Sequence, residues 1–120
     1  MQLKATSSVA TSDGFGPSLF FKMEDSSNAD SALAEIQALR DGADNTGALS
    51  FQTYTAGSQT EKLRMTNAGN VGIGTTAPGA LLDVGSAGTA LGTMRLEGNT
   101  SGYVQIQPAA AAGSWTMTLP

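Results

Sequence analysis

After Gly57 the apolar runs of this 120-residue chain are short, and each is closed by glycine, asparagine or proline. The pattern predicts strands of four to six residues at 62–66, 71–74, 81–84, 94–97, 103–107 and 115–119, with tight turns between them. Strands this short bury too little to stand alone as hairpins. They have to stack along an axis or be wrapped by identical neighbours. Composition strengthens the point: 18 of the 48 hydrophobic residues are alanine, only 30 are bulky, and 52 residues are Gly, Ser, Thr, Asn or Gln, interleaved along the whole chain. One copy alone is short of the apolar burial needed to offset the entropy of ordering its backbone. Disorder is the other outcome for so lean a composition, but it goes with high net charge, and the net charge here is −4. Obligate assembly is the expectation.

The same inventory closes off much chemistry. With no Cys and no His there are no thiol nucleophiles, disulfides or imidazole bases, and almost no zinc, copper or haem site. Six basic residues against ten acidic ones leave no stripe for a phosphate backbone, so nucleic acid is not an expected partner. No apolar segment approaches the roughly 18 residues of a membrane span, and Met1-Gln2-Leu3-Lys4 does not open a signal peptide. We expect a soluble product without membrane insertion.

Residues 1–17 are small and polar apart from Leu3, Val9 and Phe15, and they end at Gly14-Phe15-Gly16-Pro17. This reads as an attachment arm. Residues 18–60 form a first β segment. Between Ser18 and Glu24, Leu19, Phe21 and Met23 alternate with Phe20, Lys22 and Glu24, the period of a strand. The stretch 31–40 is ambiguous. Asp30 as N-cap, Leu33, Ile36 and Leu39 near one face and Gly42 as a stop describe a short helix. Alternation of Ala34, Ile36 and Ala38 with Glu35, Gln37 and Leu39, ahead of a turn at 41–47 and a second run at 48–54, describes two strands. We favour the strands. Residues 61–120 form the β shaft segment, and its last twenty carry no charge. Tyr103, Val104, Ile106, Trp115, Met117 and Leu119 there are expected to meet copies of themselves.

Three candidate sites have ordinary explanations. Gly69-Asn70-Val71-Gly72-Ile73-Gly74 is glycine-rich, but its G-x-x-G-x-G spacing is neither the dinucleotide pattern nor a P-loop. It reads as a turn followed by a strand in which Val71 and Ile73 point inward while Gly72 and Gly74 permit close backbone approach. Asp41, Asp44 and Asn45 resemble the start of a calcium loop, yet Ala43 stands where a ligand is needed and no glutamate closes it. Bonding to their own backbone in a turn suffices. Glu24 with Asp25, or a serine with Lys4, Lys22 or Lys62, makes no convincing catalytic pair, because neighbours in a strand point to opposite faces. Glu61, Lys62 and Arg64 with Asp83, or Arg95 with Glu97, are expected to pair between strands or chains and to set register more than stability.

Glu61-Lys62-Leu63-Arg64-Met65-Thr66-Asn67-Ala68-Gly69-Asn70-Val71-Gly72-Ile73-Gly74-Thr75-Thr76-Ala77-Pro78, followed by Leu82-Asp83-Val84, resembles the recurring shaft motif of bacteriophage tail fibre proteins. Residues 40–53 are similar to the segment that often precedes the motif, and residues 101–120 to the one that often follows, so the resemblance covers roughly 18–120. It implies an all-β, intertwined parallel homotrimer of short strands, a triple β-helix or β-prism-like shaft, with small apolar residues inside and no catalysis. The candidate trimer-core residues are Leu63, Met65, Val71, Ile73, Leu82, Val84, Val104, Ile106, Trp115 and Met117. Two features depart from the family: the helix-prone 32–39, and an end at Pro120 where relatives continue into more shaft, a tip or a chaperone.

The expected function is therefore structural: a trimeric tail fibre segment of a virion, made in the host cytoplasm, that takes part in host-cell attachment. Its expected partners are copies of itself, other virion proteins through residues 1–17, and a glycan or protein receptor on the host. No cofactor is expected. A capsid fibre or decoration protein of the same fold differs only in what the arm grips. A carbohydrate-binding or tailspike-type glycan-degrading module needs a carboxylate pair in an aromatic-lined groove, and only Tyr54, Tyr103 and Trp115 are available for it. A bacterial surface adhesin is disfavoured by the opening sequence.

Overall fold

The computed structural model describes residues 2, 4, 5, 12–24, 30–111, 113 and 116–118. Eight strands and no helix occur among them: β1 (Ser18–Glu24), β2 (Asp30–Arg40), β3 (Gly47–Thr55), β4 (Ser58–Met65), β5 (Val71–Ile73), β6 (Leu82–Val84), β7 (Met94–Glu97) and β8 (Tyr103–Ile106). The first six form one mixed sheet in sequence order, and β7 with β8 form a separate hairpin. Pairing is antiparallel from β1 to β5 and parallel only between β5 and β6. Of residues 1–17, the expected attachment arm, eight lie outside the described residues, as do Trp115 and Leu119. Residues 116–118, with Met117 among them, form no strand, against the expectation for 115–119.

The helix alternative at 31–40 is not what forms. Residues 30–40 make an eleven-residue strand held on both sides, with Leu19 against Ile36 on β1 and Phe51 against Ile36 on β3. Helix propensity here is a few tenths of a kcal/mol per residue, and two flanking ladders outweigh it. The strands are also longer than four to six residues where hairpins are tight. Ala56 (φ +50°) and Gly57 (φ +79°) both take the left-handed conformation that a two-residue hairpin turn requires, so β3 and β4 run to nine and eight residues. Upstream, the ladder to β2 begins before Ser18: Arg40 N donates to Phe15 O at 2.8 Å and Ala38 N to Pro17 O at 3.1 Å.

Residues 69–83 show what the glycine-rich motif does. Gly69 (φ +84°) closes the turn between β4 and β5, with Thr66 N donating to Asn70 O at 2.9 Å. After Ile73 the chain crosses back to start β6 alongside β5, and side chains of the motif pin the crossing. Asn70 Nδ2 donates to Pro78 O at 3.2 Å, and Gly79 N donates to the Asp83 carboxylate at 2.9 Å. Gly72 is buried beneath this crossing, where a Cβ would stand 2.5 Å from Thr75 O. Gly72→Ala is therefore expected to lower the denaturant midpoint by the equivalent of about 1–3 kcal/mol, the usual cost of overpacking. An unchanged midpoint would show that the crossing yields freely.

Candidate functional site

Strand register sorts the six-stranded sheet into two faces of opposite character. Leu19, Ile36, Phe51, Leu63, Ile73 and Val84 pair in succession across all six strands and make one continuous apolar row. A second row beside it runs through Ala38, Leu49, Met65, Val71 and Leu82. Six of the expected core residues thus share one face: Leu63, Met65, Val71, Ile73, Leu82 and Val84. The sequence reading did not join Leu19, Ile36, Leu49 and Phe51 to them, although alternation at 34–38 and 49–51 was the available signal.

The apolar face is the exposed one. Phe51 is 40% exposed, Met65 47%, Ile73 43% and Leu82 58%. Val71 is half-buried, so within one chain neither it nor Ile73 points into a core, and Gly72 between them takes the buried side. The only described hydrophobic residues that are buried are Leu39 and Ala48. The hairpin repeats the situation. Met94 pairs with Ile106 and Leu96 with Val104, giving an apolar face whose four members are all exposed. On its other face the Arg95 guanidinium lies 3.7 Å from the centre of the Tyr103 ring.

The other face is mostly polar, with Leu39 and Ala48 buried at one end of it and Phe20 opposite Glu35. Glu35 is 3% exposed, Ser50 0% and Gln52 8%. A buried carboxylate must be compensated, and Glu35 Oε2 accepts from the Tyr54 hydroxyl at 2.9 Å and from Gln59 Nε2 at 2.6 Å. Gln52 Nε2 donates to Gln37 Oε1 and to Ser50 Oγ, both at 2.9 Å. Arg64 grips Glu61 through two bonds, Nε to Oε1 at 2.7 Å and Nη2 to Oε2 at 2.8 Å. Residues three apart in a strand ordinarily face opposite ways. The register between β3 and β4 skips Lys62, and this bulge brings Glu61 and Arg64 to the same face. The Glu61 hydrogen bond raises the Arg64 pKa, partly opposed by burial.

The Tyr54 phenol is held above its ordinary value of 10.0, by desolvation first and then by the Glu35 hydrogen bond and charge. A phenol with a raised folded pKa gives stability that is complete below about pH 10 and is lost as pH climbs through the folded value. The melting temperature should therefore fall more between pH 8 and pH 11 in the wild type than in Tyr54→Phe. Equal falls would remove Tyr54 from the alkaline transition.

Two of the charge pairs run within strands, and one, Lys22 with Asp30, joins β1 to β2. Arg64 pairs with Glu61 inside β4, Arg95 with Glu97 inside β7, and Asp83 accepts from a backbone amide instead of pairing. Among the described residues no group of three or more acidic side chains gathers as a metal site. Asp44 lies 3.4 Å from Arg40 Nε and Asn45 takes φ +66°, the work of a turn. Lys22 pairs with Asp30 at 2.8 Å, both exposed, and Asp25 lies outside the described residues. The chain matches no protein-family model and no curated protein.

Proposed function

We propose that this chain is a trimeric fibre segment of a phage particle, a structural protein that helps carry the virion to its host cell. One observation carries the reading: the single chain buries its polar face and leaves its continuous apolar face in water. A sheet built that way needs copies of itself to cover it. The likeness of residues 61–84 to the shaft motif of tail fibre proteins supplies the trimer and the virion. Under this reading residues 1–17 join other virion proteins, the remainder forms the stalk, and the chain's work is mechanical and adhesive, not enzymatic. Light scattering in native buffer, with a circular-dichroism spectrum on the same sample, tests it. The expected result is a mass near three chains with a β spectrum. A folded monomer would overturn the reading.

A further inference from the structure

The fibre reading leaves open how the copies hold one another. Chains can intertwine by sharing backbone ladders, or each can keep its own ladder and offer a face. Resting on the trimeric reading, we propose that the copies meet through the apolar face of the β1–β6 sheet, packed face to face around a dry centre, while strand pairing stays within each chain. This departs from the intertwined shaft that the sequence resemblance implies.

Three observations lead there. Backbone pairing is already satisfied inside the chain from β1 to β6, through registers of seven residues for each of the first three pairs. Within that sheet only the outer edges of β1 and β6 stay open. Secondly, the apolar face is open across the sheet, with Leu19 40% exposed, Leu49 37%, Phe51 40%, Met65 47%, Ile73 43% and Leu82 58%. Thirdly, the apolar rows span six strands, a width of roughly 25–29 Å at the usual strand spacing, and their paired positions carry no charge. A covering surface must be equally wide and equally apolar. The same face of a second copy meets that description. The β7–β8 hairpin, with four apolar side chains on two four-residue strands, is too small to cover it.

In this arrangement Phe51 and Leu63, on the central strands β3 and β4, lie nearest the common centre and meet their counterparts. The polar network of Glu35, Gln52 and Arg64 lies on the outer side of each sheet. That location explains why it is satisfied within the chain: no other copy reaches it.

The absence of cysteine makes the test clean. Leu63→Cys, Phe51→Cys and, as a control in the exposed β4–β5 turn, Ala68→Cys would be prepared in the full chain and their masses measured. Each would then be treated with a maleimide and, separately, with a mild oxidant. The expectation is a trimer mass, with labelling of Leu63→Cys and Phe51→Cys at least about 100-fold slower than that of Ala68→Cys. Oxidation should link up to about two chains in three as disulfide dimers through either central position, as thiols brought to bonding distance allow. A trimer with fast labelling at both central positions overturns the face-to-face packing and leaves the trimeric reading intact. Protection without any interchain disulfide at either position also overturns it, because another part of the same chain would then be the cover. A monomeric mass for the wild-type chain removes the trimeric reading and this inference together.

Discussion

Ile73→Asp is expected to leave the purified chain at the mass of a single protomer, with assembly lost at any practical concentration. In one chain Ile73 is 43% exposed, and exposed substitutions ordinarily change stability by about 0.5 kcal/mol or less. In a trimer it sits in an apolar row that three copies close over. Three identical carboxylates would then enter a dry space without partners, at several kcal/mol each. The two situations differ by an order of magnitude, so the measurement separates them. Val71→Asp, two pairing positions away on the same face, should behave alike, and Ile73→Val should assemble normally. A soluble trimer of Ile73→Asp, seen by light scattering, would take Ile73 out of the interface.

Glu35→Ala is the second large effect, on stability. It removes the acceptor of two bonds, from Tyr54 at 2.9 Å and from Gln59 at 2.6 Å, on the buried face. A buried donor left without a partner costs about 1–3 kcal/mol. Tyr54 is half-buried and Gln59 exposed, so both donors can turn toward water, and a loss of about 1–2 kcal/mol is expected in urea unfolding at fixed protein concentration. Glu35→Gln keeps the shape and one acceptor oxygen and should lose less than half as much. Equal losses for the two variants would mean that packing, not hydrogen bonding, holds Glu35 in place. A loss below about 0.5 kcal/mol for Glu35→Ala would remove the network from the stability of the sheet.

Local rules carried the strand positions well and the pairing less well. Alternation located β1 at 18–24, and turn residues located β5 to β8 to within a residue or two, because period and turn chemistry are local. At 31–40 local propensity pointed two ways, and only the flanking strands decide it. The two bulges, opposite Phe21/Lys22 and at Lys62, were not legible. They arise from register between strands, and the second is what places Glu61 beside Arg64. The burial of Glu35 was hidden for the same reason: a polar strand face normally signals water, and here Ser50, Gln52, Tyr54 and Gln59 occupy the matching face of the neighbouring strands. Six of the ten expected core residues share one face. Val104 and Ile106 lie on a second, Met117 lies outside any strand, and Trp115 lies outside the described residues.

The parallel β5–β6 pair changes how the sheet bears load. Five antiparallel strands alternate in direction, so β1 and β5 run the same way, and the crossing at 74–81 returns the chain so that β6 runs that way too. The polypeptide therefore comes in at one end of the strands, at Ser18, and goes out at the other, at Val84, on opposite edges. Tension between those two points acts along the strands and across hydrogen bonds that lie perpendicular to them in the antiparallel pairs and slanted in β5–β6. The ladders are strained in shear, many bonds at once. Had β6 turned back, both ends would emerge on the same side, and a pull would peel the pairs apart one after another.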